Sequence, residues 1–220
     1  MILSYLGHSC FKLEVKTNHG SDKEKITVIF DPFDPGVGLK PPKGPADLIL
    51  SSHNHHDHSY FKPFSSDCLF ITNPGEYTYH GLNIKGIKSF HDNSQGQERG
   101  LNTIFTLESQ DITICHLGDL GHVLDKTQID KIGSVHVLLV PIGGTYTLDP
   151  KQAVEVTKQI EPYCIVPMHY KLPKSTLENL ETSEAFYKEL GLKPEEKINK
   201  LKLKSGLFKE DETKIIEFNP

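Results

Sequence analysis

The sequence feature that most constrains the fold is a cluster of histidines that directly follows a short apolar segment. Four of the twelve histidines lie within six residues, in the stretch Ser51-Ser52-His53-Asn54-His55-His56-Asp57-His58-Ser59-Tyr60. Residues 46–50, which read Ala-Asp-Leu-Ile-Leu, are typical of a short buried strand. The cluster therefore begins where a predicted strand ends.

The spacing of these polar residues suits an extended segment better than a helix. In an extended chain residues i and i+2 point the same way, so His53, His55 and Asp57 share one side, and a turn at Asp57 brings His58 to them. On a helix, His53 and His55 would diverge by about 200°. A tag would be an uninterrupted terminal run, whereas these histidines are interleaved and internal. Imidazole with some carboxylate favours Zn, Fe, Ni or Cu over Mg or Ca, so the sequence predicts a transition-metal site.

The pattern His53-x-His55-x-Asp57-His58 resembles the HxHxDH motif of the metallo-β-lactamase superfamily. Later segments follow in the order of that family: Phe90-His91, His116-Leu117-Gly118-Asp119 and Pro167-Met168-His169-Tyr170. Three more segments are similar to the branch that contains ascorbate-6-phosphate lactonase-like and uncharacterised zinc-dependent hydrolases: Leu6-Gly7-His8-Ser9, Phe30-Asp31-Pro32 and Pro141-Ile142-Gly143-Gly144. The resemblance covers almost the whole chain.

The fold class follows from the pattern and is sharpened by the resemblance. Strands come first, and strand and helix then alternate, which predicts a mixed α/β protein with two sheets. The resemblance implies an α/β (α+β) fold of the four-layer αββα sandwich type, with the metals at the sheet edge. The 220 residues are enough for one substantial core, so we expect a single metallo-β-lactamase-like domain over residues 1–220.

The resemblance also implies the metal ligands. Seven residues match ligand positions: His53, His55 and His91 for the first metal, Asp57, His58 and His169 for the second, and Asp119 as the bridge. His116 competes with His91, and the family's order, with a histidine before the bridging aspartate, favours His91 and gives His116 a supporting role. The implied cofactors are two zinc ions, with manganese or iron as alternatives, and Asp57 and Asp119 are the implied catalytic residues.

Other polar residues near the motifs have open roles. Asp31 either supports a ligand histidine or is a turn residue before a proline. His8 and His122 either line the pocket or are structural. Arg99 and Tyr170 are candidate contacts for an anion or a substrate.

The implied reaction is hydrolysis by a hydroxide held by two metal ions, because metal binding lowers the pKa of water from about 15.7 to about 7. The expected substrate is a small anionic ester, lactone, amide or phosphodiester. A diiron-type redox protein on the same fold is one alternative, but such relatives carry a carboxylate where His55 stands and need a flavin partner domain. A non-catalytic metal-binding module is another, and the complete set of candidate ligands argues against it.

Composition restricts the classes of binding partner and the cellular compartment that we expect for this protein. The net charge of −5 and pI near 6.2 argue against a nucleic-acid or anionic-membrane partner. Residues 1–15 lack the regions of a signal peptide, and no apolar run approaches the roughly 20 residues of a membrane span. The four cysteines are widely spaced in apolar segments, which predicts buried free thiols. We therefore expect a cytoplasmic protein with a small-molecule substrate, and the sequence leaves the oligomeric state open.

Local patterns predict where several elements begin and end. Asp149, followed by a proline and with Gln152 at the third helical position, predicts a capped helix start. Residues 183–190 predict a further helix that Gly191 ends. The charged segment 16–25 is predicted to be an exposed loop between two strands.

Overall fold

The computed structural model describes residues 1–19, 22–204, 206–208 and 213–219. In these ranges the strands are β1 Ile2–Gly7, β2 Cys10–His19, β3 Asp22–Phe30, β4 Leu48–Leu50, β5 Leu69–Ile71, β6 Gly75–Tyr79, β7 Leu82–Phe90, β8 Leu101–Ser109, β9 Ile112–His116, β10 Val137–Pro141, β11 Cys164–Met168, β12 Lys197–Ile198, β13 Leu201–Lys202, β14 Lys214–Ile215 and β15 Glu217–Phe218. The helices are α1 Lys126–Ile132, α2 Pro150–Ile160 and α3 Ser183–Leu190, and a 3₁₀ turn spans Pro35–Val37.

The strands build two sheets whose inner faces pack on each other. The first sheet has the order β13-β1-β2-β3-β4-β5 and the second β14-β11-β10-β9-β8-β7-β6, and a separate pair joins β12 to β15. Successive side chains of a strand point to opposite faces, so β2 sends Phe11 and Leu13 into the shared core and Cys10 to the outer side. The predicted two-sheet α/β sandwich is therefore confirmed.

The outer faces of the two sheets are covered differently. On the second sheet, α1 packs against β7, α2 packs against β10, and α3 packs against α2. On the first sheet, Phe33 and Val37 from the segment around the 3₁₀ turn pack with Ile29 and Ile49, and Phe64 lies partly buried beside them. The outer apolar layer on this side thus comes from loop residues, where the four-layer expectation placed helices.

Strands of both sheets end at one edge of the sandwich, and polar residues follow them there. In the first sheet, His8 follows β1, Asp31 follows β3, and the histidine cluster of residues 53–58 follows β4. In the second sheet, His91 follows β7 and His169 follows β11. Strands β3 to β5 run parallel, as do β9 to β11, and the carboxyl ends of parallel strands meet at the same edge. The fold therefore brings together residues that are far apart in sequence.

The charged segment 16–25 is not the loop that its composition predicts. Strand β2 extends into it as far as His19 and strand β3 begins at Asp22, and the two pair with Lys16 opposite Lys25; residues 20 and 21 lie outside the described ranges. Lys25 forms an ion pair with Glu14 on the neighbouring strand. Residues 16–19 and 22–25 are mostly polar or charged, so this part of the two strands lacks the hydrophobic alternation by which strands are found in a sequence.

The predicted helix ends are confirmed. Asp149 Oδ1 accepts the Gln152 N–H at 2.9 Å, and Gln152 Oε1 accepts the Asp149 N–H at 3.1 Å. Helix α3 ends at Gly191, which has a left-handed φ of 74°. The four cysteines are free and buried, as predicted. Among the described residues, none of the helices combines the length and apolar character needed to span a membrane.

Replacing Asp149 with alanine should weaken the start of α2. The change removes the side-chain acceptor for the Gln152 N–H, so we expect the free energy of unfolding to fall by about 1 kcal/mol. Asp149→Asn keeps an acceptor oxygen and should retain most of that stability. Urea unfolding of the three proteins measures the difference, and equal midpoints for the wild type and Asp149→Ala would show that the cap contributes nothing.

Candidate metal centre

Side chains of the metal-ligand types converge where these strands end. Their donor atoms form three groups, each within 4.8 Å: His8, Asp57, His58 and His169; His53, His55 and His91; and His53, His58 and Asp119. The groups contain all seven residues that the resemblance matched to ligand positions, and in addition His8. The cluster can therefore hold metal ions.

Asp119 lies at the centre of the cluster. Its Oδ2 is 3.1 Å from His58 Nε2 and 4.0 Å from His53 Nε2. The same oxygen is 3.3 Å from the Nε2 atoms of both His91 and His169. The other oxygen, Oδ1, is buried and has no hydrogen-bond partner in the described part of the chain. This carboxylate therefore has the surroundings of a metal ligand that is shared between two sets of imidazoles.

The backbone of Asp119 is held by a buried amide. The Asp119 N–H donates to Asn102 Oδ1 at 3.0 Å, and Asn102 Nδ2 donates to Ser89 Oγ and to the Leu117 carbonyl oxygen. Gly118 has a φ of 57°, and a Cβ at this position would lie 2.3 Å from Asn102 Oδ1. Only glycine permits this close approach, so the sequence Gly118-Asp119 fixes where the carboxylate points.

The histidine loop is not the extended segment that simple alternation predicts. Residues 52–58 form bends and a turn, in which the N–H groups of His58 and Ser59 both donate to the His55 carbonyl oxygen at 2.9 Å. The predicted turn near Asp57 is present. His56 points away from the cluster, and its Nδ1 lies 3.1 Å from Asp34 Oδ1. The donors therefore converge through a tight turn, not through a strand-like path.

Asp31 supports two histidines of the cluster. Its carboxylate accepts the Ser52 N–H at 2.7 Å and the Ser52 Oγ–H at 2.6 Å, and its Oδ2 lies 2.7 Å from His58 Nδ1. Ser52 Oγ in turn lies 2.9 Å from His53 Nδ1. A carboxylate only accepts, and the Ser52 hydroxyl already donates its hydrogen bond to Asp31, so the Nδ1 atoms of both histidines are the donors in these contacts and carry a proton. In their neutral forms both rings then present the Nε2 lone pair towards Asp119.

The segment after His91 is fixed by the buried carboxylate of Asp92. Four backbone N–H groups donate to it at distances between 2.8 and 3.1 Å, those of Ser94, Gly96, Glu98 and Arg99. Burial opposes the charge, but these bonds lower the pKa of Asp92 to about 2. Gly121 packs behind His91, where a Cβ would lie 2.4 Å from the His91 carbonyl carbon. The position of His91 thus depends on a carboxylate-centred loop and a glycine.

His116 lies apart from the ligand groups. Its Nε2 is 2.8 Å from the Ser9 carbonyl oxygen, and its Nδ1 accepts the Gly118 N–H at 3.0 Å. Both ring nitrogens are therefore engaged with the backbone. Of the two competing histidines, His91 is the one grouped with His53 and His55.

The remaining predicted contacts are in different places. His122 Nε2 accepts the Phe90 N–H at 3.2 Å and its Nδ1 lies 2.8 Å from the Val123 carbonyl oxygen, so this ring braces the end of β7. Tyr170 is buried in the hydrophobic core, and burial raises the pKa of its hydroxyl. Its side chain therefore packs inside the sandwich, which does not suit the expected substrate contact. Arg99 is exposed, as a substrate contact requires.

The pKa values of the clustered histidines and aspartate favour the protonation states that bind a cation. Burial and then the neighbouring His169 ring lower the pKa of His8 to about 4, and burial and His58 lower the pKa of His53 to about 3. Burial opposes the charge of Asp119, but the His169 and His58 rings hold its pKa well below the ordinary range. Burial also opposes a charge on His58, yet Asp119 and other nearby carboxylates raise its pKa. Carboxylates that stay charged among mostly neutral imidazoles fit a divalent transition metal.

A cavity of about 450 Å³ lies beside the first ligand group. His53 and His55 form part of its wall, and the exposed cations Lys88 and Arg99 lie around it. The lining residues, all within the described ranges, include no carboxylate. In a chain of net charge −5, this is a local region that favours a negatively charged ligand.

Four residues that shape the site have no role in the sequence analysis: Ser52, Lys88, Asp92 and Asn102. Ser52 is adjacent to the motif, and Asp92 precedes glycines at positions 96 and 100, so both had a local signal. Lys88 and Asn102 lie on strands, where a polar residue is ordinary. The role of Asn102 becomes visible only when β7, β8 and β9 lie side by side, and that of Lys88 only when the histidine loop packs against the second sheet.

Two facing sheets with a histidine and aspartate cluster at one edge define the metallo-β-lactamase fold. Residues 2–169 match the family described as the beta-lactamase superfamily domain. The chain therefore belongs to the metallo-β-lactamase superfamily.

Similar proteins agree with this assignment. A protein of Desulforamulus reducens that is named a metal-dependent hydrolase is 30% identical over 201 residues, with 77% of this chain and 84% of the relative covered. A crystal structure from Thermotoga maritima, of a protein proposed to be a Zn-dependent hydrolase of the metallo-β-lactamase superfamily, is 36% identical with a TM-score of 0.74, over 99% of this chain and 97% of that one. The metallo-hydrolase Igni18 of Ignicoccus hospitalis is 22% identical with a TM-score of 0.66, over 92% and 99% of the two chains, and shares the fold.

Replacing Asp31 with asparagine should weaken metal binding. The change keeps the side-chain volume but removes the charge to which Ser52 and His58 donate, so we expect metal affinity to fall by about 10–100-fold. Competition with a chelator measures the affinity. Asp34→Asn is the matched control, because Asp34 pairs with His56 outside the ligand groups and should leave the affinity unchanged. Equal affinities for Asp31→Asn and the wild type would contradict the supporting role of Asp31.

Proposed function

We propose that this protein is a hydrolase that holds two divalent metal ions and acts on a small anionic substrate. The observation that carries the proposal is the position of Asp119, whose Oδ2 lies within 4.0 Å of imidazole nitrogens from four histidines. The residues that would hold the ions are His53, His55 and His91 for one, Asp57, His58 and His169 for the other, and Asp119 for both. Nitrogen-rich ligands with few carboxylates suit zinc best, with manganese or iron as alternatives.

When bound, the ions would supply a nucleophile derived from water near neutral pH and stabilise negative charge that develops on the substrate. The residues of the chain prepare the site for this chemistry. Asp31 fixes the tautomers of His58 and, through Ser52, of His53, so that Nε2 of each ring is available. Asp119 contributes a negative charge at the centre of the cluster.

The thiols of the chain are poor candidates for the nucleophile. Cys10, Cys115 and Cys164 are buried, and burial raises the pKa of each thiol. A thiol must lose its proton before it can attack, so these groups are unreactive near neutral pH. This supports attack by a water-derived nucleophile instead of a covalent mechanism through cysteine.

The cavity beside His53 and His55 supports the substrate class. Its volume of about 450 Å³ suits a small molecule, and Lys88 and Arg99 are placed to attract an anionic group. An ester, lactone, amide or phosphodiester that carries a negative charge fits these surroundings. The nearby cations also disfavour positively charged substrates.

Two rival functions are less well supported. A diiron-type redox role suits relatives that carry a carboxylate at the position of His55, whereas the imidazole of His55 points its Nδ1 towards His53 Nε2 at 3.0 Å. A non-catalytic metal-binding module would not need a cavity next to the ligands. Hydrolysis accounts for both the nitrogen-rich ligand set and the cavity.

Metal analysis of two variants tests the ligand assignment. Purified wild-type protein should carry close to two transition-metal ions per chain, mainly zinc. His91→Ala should lower the affinity for one of the two ions by roughly 100-fold or more. This exceeds the loss of affinity of about 10–100-fold that is expected when a residue hydrogen-bonded to a ligand is removed. His116→Ala should lower the metal affinity by no more than that smaller factor. A wild-type protein that takes up no metal after chelation and reconstitution, or equal losses in the two variants, would contradict the assignment.

Turnover in ¹⁸O-labelled water tests the reaction class. The zinc-loaded protein is first assayed on a panel of anionic esters, lactones, amides and phosphodiesters, and an active substrate is then used with labelled water. Hydrolysis must place one labelled oxygen in the product. Asp119→Asn, which removes the central charge, should lower turnover sharply and serves as the inactive control. A reaction that requires oxygen or electrons and leaves the product unlabelled would favour the redox alternative.

A further inference from the structure

His8 is built into the second ligand group by the turn between β1 and β2. Its carbonyl oxygen accepts the His169 N–H at 3.0 Å and the Tyr5 hydroxyl at 2.7 Å. Its φ is 55°, a left-handed conformation that costs roughly 1–2 kcal/mol for a residue other than glycine. The side chain is 2% exposed. These contacts hold the imidazole of His8 in one place, although the motif by which the superfamily is recognised does not include it.

The Nε2 atom of His8 is directed at donors of this group. It lies 3.2 Å from Asp57 Oδ2 and 3.1 Å from His58 Nε2, and those two atoms are 3.6 Å apart. Four ligands at about 2.0–2.1 Å from a tetrahedral zinc ion are separated from one another by about 3.3–3.4 Å. The three observed separations are close to that value.

The proton on His58 Nδ1 determines which atoms of His58 and Asp57 face His8 as electron-pair donors. His58 carries its proton on Nδ1, where Asp31 accepts it at 2.7 Å, so in the neutral ring the Nε2 lone pair faces His8. The carboxylate of Asp57 presents lone pairs to the same place. Donor atoms so close to one another are favourable when they share a cation or a proton.

We propose that His8 Nε2 is a further protein donor to the ion that Asp57, His58 and His169 hold with the shared Asp119, so that this ion has five protein donors and the other ion has four. The inference rests on the proposed two-metal function. It separates the roles of the two sites, because an ion surrounded by protein donors has no position for water or substrate, whereas a catalytic zinc ion keeps one open. The open site is then the one formed by His53, His55 and His91.

Exposure and the cavity support this division. The histidines of the site that includes His8 are each at most 2% exposed and its Asp57 is partly buried, whereas His55 in the other site is exposed. The cavity that carries Lys88 and Arg99 is lined by His53 and His55. Substrate therefore reaches the site of His53, His55 and His91. The site that includes His8 binds its ion more tightly and does not contact substrate.

Metal titration of His8 variants tests the proposal. Metal-free wild type, His8→Ala and His8→Gln are titrated with zinc against a chelator, and with cobalt while the visible absorption is recorded. The wild type should show two phases. In both variants the affinity measured for the tighter phase should fall by more than about 100-fold, and the affinity measured for the weaker phase should not change. The loss is this large because a metal ligand is removed, not only a residue that is hydrogen-bonded to a ligand. The cobalt absorption of the tighter site should change in both variants, because the number of protein donors around that ion falls by one.

His8→Gln separates a metal ligand from a hydrogen-bond donor. Glutamine keeps an N–H that can donate to Asp57 but is a poor ligand for zinc. Wild-type affinity in His8→Gln with a loss in His8→Ala would show that His8 only donates to Asp57, and it would overturn the proposal. His56→Ala is the matched control, since His56 is exposed and points out of the cluster.

The outcomes also distinguish this inference from the proposed function. A wild-type protein that binds no metal overturns both. A wild type that holds two ions, with unchanged affinities in both His8 variants, overturns the inference alone. Circular dichroism of the metal-free proteins verifies that each variant is folded, and His8→Gln carries the test if His8→Ala does not fold.

Discussion

The histidine loop of residues 52–58 depends on the hydrogen bonds that keep the buried carboxylate of Asp31 charged. A charged carboxylate removed from water costs several kcal/mol unless its oxygens are satisfied. Here Ser52 donates twice and His58 Nδ1 once. The same bonds determine which nitrogen of each ring carries a proton. One set of interactions therefore stabilises the buried charge and also prepares the rings of His53 and His58 as ligands.

Most of the residues in the histidine and aspartate cluster could be predicted from the sequence, because metal binding requires particular residue types in a particular order. The convergence of His53, His58 and Asp119 follows from that order and from the rule that parallel strands end at one edge. The path of the histidine loop could not be predicted, since a tight turn and an extended segment present the same residues. The role of Asn102 depends on packing between segments that are distant in the chain. The pairing of residues 16–19 with 22–25 was missed because their polar and charged sequence lacks a hydrophobic pattern.

The backbone at the ligand edge is held in conformations that side chains disfavour. His8, Asp31 and His169 have φ values of 55°, 43° and 51°. Each such residue costs on the order of 1–3 kcal/mol, and the surrounding structure must compensate. The Asp31 N–H donates to Leu50 at 2.9 Å and the His169 N–H donates to His8 at 3.0 Å. Strained positions stabilised in this way leave the side chains with little freedom, and a metal site with fixed donors loses little entropy when it binds an ion.

The ligands come from strands of both sheets, and this has a thermodynamic consequence. A cation bound between them joins His58, after β4, to His169, after β11, and so links the two halves of the sandwich across the core. Because an unfolded chain lacks such a site, binding adds to folding stability by an amount that grows with the logarithm of the free ion concentration. Resistance of the fold to heat and proteolysis would then report the supply of metal, because the metal-free protein would lack this link between the two sheets.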